Sequence, residues 1–288
     1  MEKLVDILKK LDRRWIFLLI FLSCIIPFWF PTLFKQEFST SKETQRVYDI
    51  IESLNEGDAV FIDWAFNPTL QAELLPMTEQ TIKQCFDNKL RVFIYYPDLT
   101  AISLGENLVA NIIKEEKYSK MEKGVDYIHL GYLPISIDMM IFSMYSDFKS
   151  TFGKEGKIFK GIKTFNDIKY MISFAGSAHP EYYLLLQRRF GFRMGAGVTA
   201  VTGPDFIPYL QTGQLDGLLF GLKGAAEYEN LRLKNLNVSG DQFKKEKKLN
   251  QKANAGMASL TLSHLIMFVF IGIGNLIYFY EKKYKKSN

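Results

Sequence analysis

The chain has 288 residues and a formal net charge of +5, and 48% of its residues are apolar. Its basic residues collect near the two ends instead of forming a basic stripe with interleaved aromatic rings. This pattern excludes a nucleic-acid-binding surface and suits anionic lipid headgroups, so we expect the lipid bilayer as a partner and no nucleic acid. The two cysteines, Cys24 and Cys85, are too few for a disulfide framework.

A basic tail at residues 1–14 precedes an apolar stretch at residues 15–34 that contains no charged residue. About twenty apolar residues cross a hydrocarbon core of roughly 30 Å, so this stretch predicts a transmembrane helix. Pro27, Trp29 and Pro31 stand where a signal peptide would need small residues for cleavage. We therefore interpret the stretch as an uncleaved membrane anchor.

Residues 35–57 predict a juxtamembrane helix, and residues 58–231 predict an α/β domain. In the domain, short apolar runs alternate with helical patterns and predict six strands, at residues 59–66, 90–96, 125–130, 169–175, 198–201 and 215–220. The stretch at residues 134–152 fits a helix, or a strand followed by a helix, and we favour the helix. Continuous apolar strands between helices are typical of a three-layer α/β fold with a mainly parallel sheet.

Three further segments complete the chain. Residues 232–258 are polar and basic and predict a solvated juxtamembrane segment, residues 259–280 predict a second transmembrane helix, and residues 281–288 form a basic tail. Nine basic residues flank the terminal sides of the two spans and eight flank the domain sides. Because the first helix usually dominates orientation, we expect cytoplasmic termini and an extracytoplasmic domain, in a plasma or inner membrane.

Ligands of open α/β sheets bind beyond the carboxyl ends of the strands. The polar residues that follow the predicted strands give a candidate ligand-binding set of Asp98, His179, Thr202 and Asp205. A hydrolase with Ser177 as nucleophile, His179 as base and Asp98 as orienting group is an alternative. The G-x-S-x-G nucleophile motif is absent from the sequence, so turn formation and helix capping are the favoured roles of Ser177 and His179, and we predict no catalytic residue.

The sequence predicts no metal site and no cofactor. Its histidines and cysteines lack metal-ligand spacing, and a phosphate-binding loop motif is absent. Gly195 and Gly197 resemble half of a dinucleotide fingerprint, but we expect them to precede the fifth strand, where the structural context is wrong for a nucleotide.

Glycines and small residues mark two candidate contact regions. Gly213, Gly217, Gly221 and Gly224 allow close approach of another element, either inside the domain or from a subunit or ligand. In the second span, small residues and an amide favour helix association, within the chain or between copies, through Ser259, Ser263, Gly272, Gly274 and Asn275.

The succession FIPYLQTGQLDGLLF at residues 206–220 resembles the helix–strand step in the second lobe of type II periplasmic binding proteins. This local resemblance implies a small-ligand sensor. By elimination, however, the favoured function is a non-enzymatic assembly or scaffold subunit of a membrane complex, with copies of itself or other membrane proteins as partners. An extracytoplasmic ligand-binding or sensory module is the alternative, and a membrane-tethered hydrolase comes third.

Overall fold

The computed structural model describes residues 12–30, 39–235 and 250–284. The predicted N-terminal tail, the predicted C-terminal tail and the basic part of the segment at 232–258 lie largely outside these ranges. The chain divides into two compact units. One contains the N-terminal helix and the C-terminal helix from Asn254 onward, and the other spans Phe38–Ala253.

Six strands and eight helices of five or more residues make up the described part of the second unit. The strands are β1 Ala59–Ala65, β2 Arg91–Tyr95, β3 Tyr127–Gly131, β4 Ile168–Ala175, β5 Met194–Val198 and β6 Gly217–Phe220. The N-terminal helix, α1, is Arg13–Trp29. The domain helices are α2 Lys42–Glu52, α3 Gln71–Asp87, α4 Leu99–Ile113, α5 Ile137–Ser146, α6 Phe148–Phe152, α7 His179–Phe190, α8 Gly203–Gln211 and α9 Gly221–Asn235. The C-terminal helix, α10, is Lys252–Tyr284.

All six strands are parallel, in the order β3-β2-β1-β4-β5-β6, which confirms the predicted parallel α/β domain. The ambiguous stretch at 134–152 is helical, as α5 and α6. The fifth strand was misplaced, because it lies at Met194–Val198 and contains Gly195 and Gly197 instead of following them. A Cβ atom on Gly195 would lie 2.1 Å from the Tyr170 hydroxyl oxygen, so close packing requires glycine inside this strand.

One face of the sheet carries an aromatic core. Phe61, Phe93 and Met171 occupy paired positions of β1, β2 and β4 and belong to a buried cluster that α5, α6, α7 and α8 complete with apolar side chains. Phe148 and Phe165 pack edge-on against Phe61, at ring-centroid distances of 6.2 and 5.5 Å. Burial of large apolar side chains therefore holds this layer of helices to the sheet.

The helix layer formed by α3 and α9 is held differently, because α3 buries a largely polar surface. The Lys83 ammonium is fully buried and lies 2.9 Å from Glu79 Oε1 and 2.6 Å from Glu115 Oε1. From α9, the buried Arg232 guanidinium donates to Asp87 Oδ2 at 2.6 Å and to the Tyr118 hydroxyl at 3.1 Å. Hydrogen bonds and ion pairs thus join α9 to α3, as is required when charges leave water.

The first unit contains α1 and most of α10. Among the described residues, α10 is the one helix that is long and apolar enough to cross a membrane, and none of its most apolar stretch is buried. It begins at Lys252, earlier than the predicted boundary at residue 259. The predicted N-terminal span at 15–34 is not found as such, because α1 ends at Trp29 and has 17 residues.

Candidate functional site

A buried polar cluster lies at the carboxyl ends of β1 and β4, the two strands at the centre of the sheet. Here the order of strands reverses, and such a switch point is where ligands bind in doubly wound α/β folds. The cluster consists of Asp63 on β1, Ser173 on β4, and His179 and Tyr183 on α7, and we call it the switch-point cluster.

Strand register and helix periodicity bring these four side chains together. Asp63 pairs with Ser173 across β1 and β4, so both side chains point to the same face of the sheet. α7 begins at His179 immediately beyond the end of β4, with Pro180 in its first turn, where the fixed φ of proline is tolerated. Tyr183 lies four residues after His179, on the same side of the helix.

The Asp63 carboxylate is fully buried and is the centre of the cluster. Its Oδ2 accepts a hydrogen bond from Ser173 Oγ at 2.5 Å, and its Oδ1 accepts one from the Tyr183 hydroxyl at 3.1 Å. His179 Nε2 lies 3.1 Å from Oδ2 and 3.4 Å from Oδ1. A buried carboxylate needs such partners, because an uncompensated charge in the interior is costly.

These contacts set the protonation of the cluster. Burial lowers the pKa of His179, but the charge of Asp63 and its hydrogen bond outweigh burial and raise this pKa above the usual 6.5. Burial and then the charge of Asp63 raise the pKa of the Tyr183 hydroxyl far above 10, so it remains a donor. The cluster therefore presents an imidazole that is held by a carboxylate and is ready to carry a proton.

The His179 side chain is 14% exposed, and it is the member of the cluster that solvent reaches. Its Nε2 faces Asp63, and no hydrogen bond among the described residues engages Nδ1. An imidazole with one nitrogen fixed by a carboxylate can bind a ligand or exchange a proton through the other nitrogen.

The other predicted ligand-binding residues have local roles. Asp98 caps α4 by accepting the Thr100 N–H at 2.8 Å. Thr202 shares a 3.0 Å hydrogen bond with the Thr199 hydroxyl just before α8, and Asp205 lies exposed in the first turn of that helix. Within the described residues, no hydrogen bond or ion pair joins these three side chains to the switch-point cluster.

The Ser177, His179 and Asp98 arrangement weighed for a hydrolase has different geometry. The Ser177 hydroxyl oxygen accepts the main-chain N–H of His179 at 3.3 Å, which is the turn-forming role favoured from sequence. Asp63, and not Asp98, orients the His179 ring. Ser173 is buried and its hydroxyl donates a hydrogen bond to Asp63, so it supports the carboxylate and is not an accessible nucleophile.

Sequence reasoning missed Asp63, Ser173 and Tyr183. The available signal was Asp63 itself, the one charged residue in the apolar run at residues 59–66. Among the described residues, no group of three or more His, Cys, Asp or Glu side chains could hold a metal ion. Cys85 is buried, and burial raises its thiol pKa to about 12, which keeps the sulfur in its unreactive protonated form.

The candidate contact glycines fall into three groups. A Cβ atom on Gly217 would lie 2.8 Å from the Glu43 carbonyl oxygen, and one on Gly224 would lie 2.9 Å from the Leu219 carbonyl carbon, so both allow close packing inside the domain. Gly221 and Gly213 have positive φ angles of 56° and 71°. On α10, an added Cβ at Gly272 or Gly274 would meet no atom of the described residues within 4 Å.

The fold is a doubly wound α/β domain, and this cluster is a candidate site at its switch point. No protein-family model matches the chain, and a comparison with curated proteins finds no match either.

Proposed function

We propose that this protein is a membrane-anchored ligand-binding module whose small-molecule site lies at the switch-point cluster. The observation that carries this proposal is the buried Asp63 carboxylate, which fixes the His179 ring at the edge of the sheet where doubly wound folds bind ligands. An ion pair that served stability alone would contribute little, because the cost of removing its charges from water offsets the attraction between them. His179 Nδ1 is the group through which we expect the ligand to be bound.

Ligand-dependent stabilisation tests the proposal. The full chain in lipid nanodiscs is screened against small polar metabolites, with the melting temperature of the domain as readout. A ligand of the switch-point site raises the melting temperature of the wild type, and His179→Ala abolishes this rise. The matched control is Asp205→Asn, at the same edge of the sheet. A shift that survives His179→Ala and disappears in Asp205→Asn refutes the assignment.

The anchor that we propose consists of α1 together with α10. Both helices expose large apolar side chains, such as Phe17 at 67% and Phe268 at 69%, a surface that is stable in lipid and not in water. Ser23 Oγ and Ser263 Oγ lie 2.9 Å apart, and Ser259 Oγ donates to the Cys24 carbonyl oxygen at 3.0 Å. Such hydrogen bonds between small residues support association of helices in a bilayer.

For orientation, we propose cytoplasmic termini and an extracytoplasmic domain, on the basis of the basic flanks. Protease added outside sealed cells then digests the domain and spares an epitope fused to the C-terminus. Digestion of the domain only after the cells are opened contradicts this orientation.

A second candidate function is the assembly or scaffold role. The observation that favours it is the open surface at Gly272 and Gly274, next to the exposed amide of Asn275 on α10. An amide facing lipid gains a hydrogen-bonding partner when another helix binds there. Native mass measurement in mild detergent tests this role, and a strictly monomeric protein that co-purifies with no other chain refutes it.

A further inference from the structure

A cavity of about 580 Å³ lies between α2, α8, β6 and α9, on the part of the domain formed by the glycine-rich stretch. Cavities of this size hold small organic ligands. Its apolar wall consists of Ile207, Leu210, Leu218 and Phe220. This cavity is lined by none of the switch-point residues, so it is a separate candidate site.

Glycines shape the apolar wall. A Cβ atom on Gly203 would overlap the Phe220 ring, at 1.4 Å, so glycine is what allows the ring to lie against the start of α8. Gly224 permits close packing on the backbone of β6, where an added Cβ atom would lie 2.9 Å from the Leu219 carbonyl carbon. Phe220 and Ile207 nevertheless remain 39% and 46% exposed, which is a large exposure for apolar side chains that line a concave surface.

One polar group at the cavity, the Glu227 carboxylate, is incompletely paired although it is only 1% exposed. Its Oε2 accepts hydrogen bonds from the Ser41 N–H at 3.1 Å and from Ser41 Oγ at 2.6 Å. Its Oε1 has no hydrogen-bond partner among the described residues. The Lys223 ammonium lies 3.4 Å from Oε1, and its side chain is 53% exposed and free to turn towards water.

We propose that this cavity binds an amphiphile with an apolar body and an ammonium head, which takes the place of the Lys223 ammonium beside Glu227. The ligand ammonium donates the hydrogen bond that Oε1 lacks and replaces Lys223 as the counter-charge of the buried carboxylate, while the body covers Phe220 and Ile207. A carboxylate head beside Glu227 would meet like charge and is disfavoured at that position, although the cavity is also lined by Arg46. A lipid amine and a soluble amine share this chemistry.

Photolabelling of the full chain in nanodiscs tests the proposal. The probes are alkyl diazirines that carry either an amine or a carboxylate, each as a short-chain soluble form and as a long-chain form embedded in the lipid. We expect the amine probes to label the peptide that contains Ile207 and Phe220. Labelling by the short-chain form alone identifies a soluble amine, and labelling by the long-chain form identifies a membrane amphiphile, and either result supports the proposal.

The following substitutions test the contact with the ligand's head group and the role of the apolar wall separately. Glu227→Gln should weaken labelling by the amine probe about tenfold, because a charged hydrogen bond is lost. Ile207→Trp should fill the cavity and block labelling while leaving Glu227 in place. Glu56→Gln is the matched control, since this carboxylate forms an exposed ion pair with Lys89. His179→Ala should leave labelling unchanged, which separates this proposal from the switch-point site.

Equal labelling by the carboxylate probes overturns the assignment of the head group. Unchanged labelling in a folded Glu227→Gln protein overturns the role of that carboxylate. Absence of labelling in the wild type, or its persistence in Ile207→Trp, overturns the cavity itself as a binding site.

Discussion

Asp63→Asn is the most informative perturbation of the switch-point cluster. The wild-type carboxylate is fully buried and has Ser173, His179 and Tyr183 as partners. An asparagine side chain removes the charge and turns one acceptor atom into a donor that faces other donors. Breaking a buried ion pair typically costs about 3–5 kcal/mol, and since His179 is partly exposed, we expect about 3 kcal/mol of lost stability.

The same substitution changes the pH dependence of stability. Because the folded-state pKa of His179 is raised above 6.5, its protonation contributes stability that is fully present below pH 6.5. This contribution is lost as the pH rises through the folded-state pKa. The wild type should therefore lose stability over this interval, whereas Asp63→Asn should lack that loss.

Tryptophan fluorescence during urea unfolding in nanodiscs measures both effects. Trp64 is buried next to Asp63 in sequence, and the other two tryptophans, Trp15 and Trp29, are replaced by phenylalanine so that the signal reports the domain. Glu56→Gln is the control, since this carboxylate forms an exposed ion pair with Lys89 outside the cluster. An Asp63→Asn protein within about 0.5 kcal/mol of its parent, or with the same pH dependence, refutes the reasoning.

Three further experiments test other parts of the molecule. Lys83→Met should destabilise the domain by about 3 kcal/mol in urea unfolding, because its two carboxylate partners lose their buried cation. Gly224→Ala should destabilise the domain by about 1–3 kcal/mol, because the added Cβ atom would clash with the β6 backbone. Gly272→Ala should not destabilise the protein, because its added Cβ atom meets no atom of the described residues within 4 Å. Equal effects of the two substitutions contradict the packing argument. A double-mutant cycle of Ser23→Ala and Ser263→Ala should give a coupling of about 0.6 kcal/mol in helix-association measurements, and zero coupling argues against the observed pair.

The parallel sheet was predictable because buried parallel strands are continuous apolar runs, as in β1 and β2. Strand order was not predictable, since pairing depends on contacts far apart in the chain. β5 was misplaced because Gly195 and Gly197 are poor strand formers. Their presence is explained only by the side chains of Tyr170 and Phe174, which occupy the space beside them.

The candidate site was partly predictable. His179 was identified by its position after β4, where the general rule for parallel sheets places ligands. Its partner Asp63 is 116 residues earlier, inside a strand, and a lone acid in an apolar run carries no information about what neutralises it. Asp98 and Thr202 satisfied the same positional rule, but their hydrogen bonds are made within their own turns.

The two helix layers of the domain should differ in their response to heat and solvent. Separation of α9 from α3 would expose buried polar side chains such as Lys83 and Arg232 to water. Because hydration of polar surface lowers the heat capacity, it offsets part of the rise that apolar exposure causes. Detaching the layer packed on Phe61 and Phe148 would expose aromatic surface and raise the heat capacity steeply. Local opening of α9 should therefore carry the smaller heat-capacity change, and cooling should weaken the aromatic layer first.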